Sequence, residues 1–158
     1  HVCLCRPGSG CDGRSSCAAR KAIGAELARE TPIEADLVVP VPDSGVPAAL
    51  GYAEESGIPF EMALIRNHYI GRTFIEPQQS IRHFGVKIKL NPIRRLLEGR
   101  RVVVIDDLLA TGGTAEATCK LVRQTQAEIA EVAFLVELGF LDGRERLAAH
   151  DCFALVTY

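Results

Sequence analysis

The sequence predicts an α/β fold with a mostly parallel, doubly wound sheet, and three observations support this prediction. The β-branched run at 102–105 has no polar alternation, which is typical of a strand buried on both faces of a parallel sheet. Strand-like segments alternate with helical ones along the chain, as expected when helices connect parallel strands. A length of 158 residues with 47% apolar residues suits one domain with a sizeable core.

The first half of the chain is divided by clear start and stop signals. Residues 1–14 show no periodicity and are expected to be an irregular lead-in. A serine at 15 or 16 can cap a first helix, whose apolar residues recur at every fourth position and which ends at Thr31-Pro32. The elements expected next are a strand at 37–41, a Pro-Asp-Ser-Gly turn at 42–45, a helix at 46–56 closed by Gly57, and a strand at 60–65.

The second half begins with a long segment that has no period. Residues 67–85 mix aromatic, basic, glycine, proline and glutamine residues, and a loop of that length in a compact domain is usually functional. Residues 86–90 alternate like a hairpin strand packed over this loop. The elements expected after them are a short helix at 92–97, the buried strand at 102–105, a helix at 114–126, a strand at 131–138, a helical turn at 142–147 and a strand at 152–157.

Charge and hydropathy exclude several classes of partner. The net charge of −2 gives no general attraction for nucleic acid. The most apolar segment near the end, 129–141, is interrupted by Glu131 and Glu137 and is too short to span a membrane. The first residues lack the basic region and apolar core of a secretory signal. We therefore expect a cytoplasmic protein with no nucleic-acid or membrane partner.

The six cysteines do not follow a metal-binding pattern. Four of them, Cys3, Cys5, Cys11 and Cys17, crowd the first seventeen residues, but their spacing matches no usual zinc pair. We expect reduced thiols, with Cys119 and Cys152 as small core residues. A metal or a disulfide among the first four is the alternative.

The segment 106–114, Asp-Asp-Leu-Leu-Ala-Thr-Gly-Gly-Thr, is the strongest functional signal. In open parallel sheets ligands bind just beyond the carboxyl ends of strands, which is where Asp106 and Asp107 are expected. Gly112 and Gly113 would let the backbone approach an anion, and the following helix would offer free N–H groups. The predicted ligand has a phosphate at one end and hydroxyls or a metal at the other, as a sugar phosphate does.

Other phosphate motifs do not fit this segment. No lysine follows the glycines as a P-loop requires, and the three spaced glycines of a dinucleotide fingerprint are absent. An ordinary βα turn with a threonine cap stays open as an alternative. The adjacent aspartates favour a binding site, because two neighbouring carboxylates must be solvated or neutralised by a cation.

A hydrophobic strand, two acidic residues and a loop rich in threonine and glycine resemble the signature of the type I phosphoribosyltransferases. Residues 12–107 resemble the phosphoribosyltransferase domain of the glutamine phosphoribosylpyrophosphate amidotransferases, through the segments 40–46, 51–57, 66–77 and 86–90. Residues 106–158 resemble the adenine phosphoribosyltransferases, through 106–114 and 135–138. A hybrid or engineered sequence would explain two resemblances that meet at Asp106-Asp107.

The resemblance implies a type I phosphoribosyltransferase fold with a flexible loop hairpin and a role for each segment of the site. The loop Ala110, Thr111, Gly112, Gly113 and Thr114 would hold the 5-phosphate of phosphoribosylpyrophosphate, and Asp106 and Asp107 would bind the ribose hydroxyls with Mg²⁺. Asp43, Ser44 and Gly45 match the pyrophosphate loop, which typically contains a non-proline cis peptide, and Ser44 matches a metal contact. An ordinary β-turn suits residues 42–45 equally well.

The same resemblance places a catalytic loop at 69–82. This loop would close over bound substrate and exclude water. Arg72, Thr73 and Arg82 are its candidate catalytic residues, and Lys87 would reach the pyrophosphate from the hairpin. Arg144 and Arg146 are instead expected to be solvated surface charges.

The function implied is Mg²⁺-dependent transfer of ribose 5-phosphate to a nitrogen nucleophile in purine nucleotide metabolism, with release of pyrophosphate. Residues 15–158 would form a single phosphoribosyltransferase domain without a glutaminase domain, so ammonia is the expected nucleophile, and family members usually form homodimers. Adenine as acceptor, forming AMP in purine salvage, is the first alternative, because the substrate hood of neither family is recognisable. A non-catalytic module that binds phosphoribosylpyrophosphate or a nucleotide is the second.

Overall fold

The computed structural model describes residues 10–11, 14–67 and 90–158. Eight strands occur in this part of the chain: β1 (Gly10–Cys11), β2 (Arg14–Ser15), β3 (Leu37–Pro40), β4 (Leu64–Arg66), β5 (Leu90–Pro92), β6 (Arg101–Leu109), β7 (Glu128–Glu137) and β8 (Cys152–Thr157). Four α-helices accompany them: α1 (Ser16–Glu30), α2 (Val46–Ser56), α3 (Arg94–Leu97) and α4 (Gly113–Arg123). Two short 3₁₀ turns, Gly139–Leu141 and Gly143–Leu147, connect β7 to β8.

The centre of the fold is a parallel sheet with the strand order β3-β6-β7-β8. Leu37 pairs with Val102, and Val103 with Glu131, with every neighbouring pair of strands parallel. Phe60 adds an isolated parallel bridge to Val38 at the outer side of β3. The mostly parallel sheet predicted from the sequence is confirmed.

Helices cover both faces of this sheet, so the doubly wound arrangement is also confirmed. On one face, residues of α1 and α2 pack against Val103 and Ile105. On the other face, residues of α3 and α4 pack against Val102 and Val104. This division follows from the alternation of side chains along β6, which sends successive residues to opposite faces. Both faces of the strand are therefore apolar.

Three segments differ from their predicted structure. Within the predicted strand 60–65, only Phe60 bridges to the parallel sheet, because β4 instead pairs antiparallel with β5. This pairing brings the two ends of the segment 67–89 together. The strands β1 and β2 form a short antiparallel ribbon in part of the expected irregular lead-in. The hairpin strand expected at 86–90 and the catalytic loop at 69–82 lie almost entirely outside the described residues.

The two cysteines expected in the core are confirmed there. Cys119 is fully buried, and Cys152 is half-buried against the same cluster. Burial raises the pKa of the Cys119 thiol to about 12 and that of Cys152 to about 11, so both favour the neutral thiol. Cys17 is an exposed free thiol, whereas Cys3 and Cys5 and the side chain of Cys11 lie outside the described structure.

The described part of the chain lacks two features, a cluster of metal-binding side chains and a membrane-spanning helix. It contains no group of three or more histidine, cysteine, aspartate or glutamate side chains placed to hold a metal ion. Nor does it contain a helix that is both long and apolar enough to cross a membrane.

The contact between α1 and α2 depends on two glycines. A Cβ atom at Gly51 would lie 1.8 Å from the carbonyl oxygen of Lys21, and one at Gly24 would lie 2.0 Å from that of Ala48. Because these neighbours are backbone atoms, the helices would have to separate. We expect Gly51→Ala to lower the free energy of unfolding by about 1–3 kcal/mol, measured by urea denaturation.

Gly113→Ala is the matched control for this prediction. A Cβ atom at Gly113 would meet no atom within 4 Å, so its stability should equal or slightly exceed that of the unmodified chain. Equal stabilities for the two variants would contradict the close packing of α1 on α2.

Candidate functional site

The two predicted phosphate-binding segments meet at one edge of the parallel sheet. Strands β3 and β6 are parallel neighbours, so their carboxyl ends lie at the same edge. The chain continues from β3 into residues 42–45 and from β6 into residues 110–114. Segments more than sixty residues apart in sequence are thereby brought together around Asp106 and Asp107.

The sequence predicts Asp106 and Asp107 just beyond the end of the buried strand, and this prediction is wrong, because both lie within β6. β6 extends to Leu109, and Asp106 pairs with Phe134 of β7. Both aspartates are buried. Backbone pairing on a central strand therefore holds the carboxylates more rigidly than a loop would.

The Asp106 carboxylate is surrounded by polar groups of the site itself. It accepts a hydrogen bond from the backbone N–H of Asp107 at 2.8 Å, and the nearby Ser44 hydroxyl favours its ionised form. Burial, followed by the negative charge of Asp107, raises the pKa of Asp106 well above its ordinary value. A cation or a hydroxyl donor at this point would stabilise the ionised carboxylate.

Asp107 has a partner that the sequence analysis missed. The Nη2 atom of Arg20, on α1, lies 3.6 Å from its Oδ2 atom, with side-chain exposures of only 2% and 10%. Arg20 was not identifiable from the sequence, because its burial on α1 with Gly24, Leu27 and Ala28 depends on the tertiary packing. Arginine is almost never fully buried without a charged partner.

Residues 42–45 pack directly against the end of β6. The N–H of Val41 donates to the carbonyl of Ile105 at 2.8 Å, and that of Gly45 donates to the carbonyl of Val41 at 3.1 Å. A Cβ atom at Gly45 would lie 2.6 Å from the carbonyl oxygen of Ile105, so only glycine permits this approach. The approach places Ser44 beside Asp106.

Asp43 of this loop also has a partner that the sequence did not predict. The Pro42–Asp43 peptide is cis, as the family resemblance implies. The exposed carboxylate of Asp43 accepts a hydrogen bond from Arg66 of β4 at 2.7 Å. Arg66 adds a positive charge beside this loop.

The 110–114 loop leads into α4 with the two glycines in different roles. Gly112 has a φ of +74°, and a Cβ atom there would lie 2.3 Å from the carbonyl oxygen of Gly143. The sequence predicts that Gly112 lets the backbone approach an anion. In the structure, glycine is required at 112 because this residue packs against the backbone of Gly143. At Gly113 the space is open. Thr111 and Thr114 are exposed, and Ala110 is half-buried, so the loop and the start of α4 present donors to solvent.

The 3₁₀ turn Gly143–Leu147 supports this loop from outside. A Cβ atom at Gly143 would lie 2.1 Å from the carbonyl oxygen of Ala110. Arg144 donates from Nε to the buried Glu137 at 3.1 Å and from Nη1 to the carbonyl of Cys152 at 2.6 Å. The expectation that Arg144 is only a solvated surface charge is wrong, because its guanidinium fixes this turn to β7 and β8. Arg146 is half-exposed and lies 3.5 Å from Glu116.

The predicted catalytic-loop residues cannot be placed in this site. Arg72, Thr73, Arg82 and Lys87 lie outside the described residues. Their roles stay predictions from the resemblance.

Comparisons with known proteins agree with the geometry of the site. The profile of the family described as phosphoribosyl transferase domain matches residues 14–154. The amidophosphoribosyltransferase of Rhizobium etli is 54% identical over 127 residues, which cover 80% of this chain and 26% of the relative. An alignment of that length must include residues 108–127, so this likeness continues past Asp107.

Solved structures of an amidotransferase and of an adenine phosphoribosyltransferase also match this chain. The glutamine phosphoribosylpyrophosphate amidotransferase from B. subtilis, complexed with ADP and GMP, matches with a TM-score of 0.77 and 35% identity, over 98% of this chain and 39% of that one. The adenine phosphoribosyltransferase from Thermoanaerobacter pseudethanolicus matches with a TM-score of 0.69 and 29% identity, over 89% of this chain and 80% of that one.

The curated relatives are much longer than the region that matches this chain. The chain spans about a quarter of the length of the curated amidophosphoribosyltransferases that it matches. The family profile, by contrast, extends from β2 into β8 and so includes β3, β6 and β7, the first half of β8 and both loops of the site. The chain therefore belongs to the phosphoribosyl transferase domain family.

Proposed function

We propose that residues 15–158 form a phosphoribosyltransferase domain of the amidophosphoribosyltransferase type. It transfers ribose 5-phosphate from phosphoribosylpyrophosphate to ammonia in purine nucleotide synthesis and releases pyrophosphate. The observation that carries this proposal is the meeting of the 42–45 and 110–114 loops around the buried Asp106-Asp107 pair. The 54% identity with the amidophosphoribosyltransferase of Rhizobium etli supports the choice of this type.

The reaction breaks the bond between ribose C1 and the pyrophosphate oxygen and forms a bond from C1 to the ammonia nitrogen, which then loses a proton. Such displacements develop positive charge on the sugar ring, as in glycoside hydrolysis. The carboxylates of Asp106 and Asp107 accept hydrogen bonds from the ribose hydroxyls and stabilise that charge electrostatically. The N–H groups and hydroxyls of 110–114 hold the 5-phosphate, and Asp43, Ser44 and Gly45 face the leaving pyrophosphate.

The residues present fit a Mg²⁺ ion. Ser44, Asp106 and Asp107 supply oxygen donors, and Asp106 is a buried carboxylate next to a second one. Mg²⁺ in nucleotide sites usually binds through one or two carboxylates, several waters and the substrate phosphates. Two carboxylates and a hydroxyl fit that chemistry, and they do not amount to a group of three or more His, Cys, Asp or Glu side chains, which the described part of the chain lacks. When bound, the ion would neutralise the charge of the departing pyrophosphate.

The remaining parts of the proposal rest on the family resemblance. Arg72, Thr73 and Arg82 close over the substrate, and Lys87 contacts the pyrophosphate. The domain pairs as a homodimer and acts in the cytoplasm. Sedimentation would test the pairing directly.

Adenine phosphoribosyltransferase activity is the second candidate, and one observation favours it. The chain covers 80% of the adenine phosphoribosyltransferase from Thermoanaerobacter pseudethanolicus, compared with 39% of the B. subtilis amidotransferase. A domain of this size could therefore complete an adenine-dependent reaction. A non-catalytic module that binds the same ligand is the third candidate.

Pyrophosphate release distinguishes these candidates. We expect the chain to release pyrophosphate from phosphoribosylpyrophosphate with Mg²⁺ when ammonia is supplied, and not with adenine or without an acceptor. Release with adenine alone would establish the salvage reaction. Ligand binding without release above the blank would contradict both enzyme proposals and identify a binding module.

A further inference from the structure

Arg20 is a charged residue in a place where a charge is costly. Its side chain is 2% exposed, on the face of α1 that packs against the sheet and α2. The ion pair with Asp107, at 3.6 Å, joins the first helix of the fold to the acidic end of β6. Residues 20 and 107 belong to segments that are distant in sequence, so the contact is formed only by the tertiary fold.

Stability alone does not account for this pair. Removing an arginine and an aspartate from water costs several kcal/mol for each ion, and apolar residues of similar volume often stabilise such positions equally or better. On this stripe of α1, Ser16 precedes Arg20, and the positions that follow it, Gly24, Leu27 and Ala28, are apolar. An apolar residue at 20 would continue that stripe. The charge is instead directed at a carboxylate of the proposed site.

We propose that Arg20 is a positioning residue, which holds the Asp107 carboxylate in the orientation that binds a ribose hydroxyl. This inference rests on the proposed function and extends it to a residue outside the substrate loops. The contact of Arg20 with Oδ2 restricts rotation of the carboxylate about its Cβ–Cγ bond. Asp106 is held differently, by the hydrogen bond from the Asp107 N–H. The two carboxylates are therefore held by different contacts, one from α1 and one from the backbone of β6.

Lysine should not replace Arg20 fully. The guanidinium is planar and presents its N–H groups in a fixed fork, whereas the lysine ammonium is a point charge on a flexible stem. Arg20→Lys keeps the charge and most of the volume but not this geometry. It serves as the second variant if Arg20→Met does not fold.

The test measures binding to the full chain with Mg²⁺, by calorimetry, of ribose 5-phosphate and its 2-deoxy and 3-deoxy analogues. We expect the unmodified chain to bind ribose 5-phosphate at least about 10-fold more tightly than one of the analogues, because a site built around a hydroxyl rejects ligands that lack it. Arg20→Met should weaken ribose 5-phosphate binding by about 10-fold and leave that analogue's affinity within about twofold. Arg20→Lys should give an intermediate loss.

Two further variants separate positioning from a general structural role. In an Asp107→Asn background, Arg20→Met should cause no additional loss of ribose 5-phosphate affinity, because the group that it positions is already changed. Arg29→Met is the matched control. Arg29 lies on the same helix but is exposed and, among the residues that the structure describes, forms surface ion pairs with Glu26 and Glu55 alone, so its variant should bind all three ligands normally.

Each outcome decides the proposal. Equal loss of affinity for all three ligands, or unchanged binding in Arg20→Lys and Arg20→Met, would overturn the positioning role while leaving the proposed function intact. A folded, unmodified chain that binds no ribose 5-phosphate would overturn the proposed function and this inference together.

Discussion

The Asp106→Asn variant is expected to lose at least about 100-fold in kcat for pyrophosphate release, a loss similar to that of one transition-state stabilising group in other enzymes. The buried carboxylate of Asp106 lies next to that of Asp107, where the proposed reaction develops positive charge on the ribose. Asparagine keeps the shape of the side chain and can still accept the hydrogen bond from the Asp107 N–H. The variant therefore removes charge without removing the backbone contact.

The same substitution is expected to raise the melting temperature in the absence of ligand and metal. Burial and the charge of Asp107 both disfavour the ionised form of Asp106, which raises its pKa. Removing that charge relieves the repulsion, and each kcal/mol gained should raise the melting temperature by about 2–4 °C. Opposite changes in activity and stability are typical of sites that are destabilised for function.

Asp142→Asn is the matched control for this experiment. Asp142 is exposed, and its φ of +50° is a conformation that asparagine also adopts. It should change neither kcat nor the melting temperature. A lower melting temperature in Asp106→Asn, with activity retained, would show that Asp106 serves the fold and not the reaction.

Local signals in the sequence were sufficient to predict those helices and strands whose first and last residues are determined by residues within or next to the same segment. The helix predicted at 46–56 has these bounds in the structure because Pro47 suits its first turn and Gly57 ends it with a φ of +74°. The strand at 152–157 is likewise confirmed. β8 pairs with β7, which is already buried, so the strand that the apolar pattern predicts is also the one that the packing stabilises.

The parts of the site that the sequence did not reveal depend on contacts between distant segments. Aspartates are poor strand formers, yet β6 continues through both of them because its backbone pairs with β7 up to Glu137. The role of Gly112 depends on the backbone of Gly143, and that of Arg20 on Asp107. Periodicity along one segment carries no information about such partners. The motif predicts a sugar-phosphate ligand, but the residues that support the site could be found only from the fold.

The glycine pair of the 110–114 loop provides a test that separates packing from ligand binding. Gly112→Ala places a Cβ atom 2.3 Å from the carbonyl oxygen of Gly143, at a φ of +74°. Strain of this kind costs about 1–3 kcal/mol. We therefore expect lower stability by urea denaturation and, because the loop is displaced, weaker binding of ribose 5-phosphate.

Gly113→Ala should give the opposite pattern. Its Cβ atom would meet no protein atom within 4 Å, so stability should be preserved or improved by up to about 1 kcal/mol. If the 5-phosphate approaches the N–H groups at the start of α4, however, the added methyl group lies where the phosphate must come close. We expect ribose 5-phosphate affinity to fall by at least about 10-fold. A 10-fold loss of affinity corresponds to about 1.4 kcal/mol of binding free energy.

The comparison of the two variants decides which surface holds the phosphate. Gly112 affects binding through the fold, whereas Gly113 affects it with the fold unchanged. Normal ribose 5-phosphate binding in Gly113→Ala would place the phosphate elsewhere and leave the 110–114 loop as an ordinary βα turn. Loss of binding without loss of stability would instead locate the phosphate at the first turn of α4, in the position that brings the ribose hydroxyls toward Asp106 and Asp107.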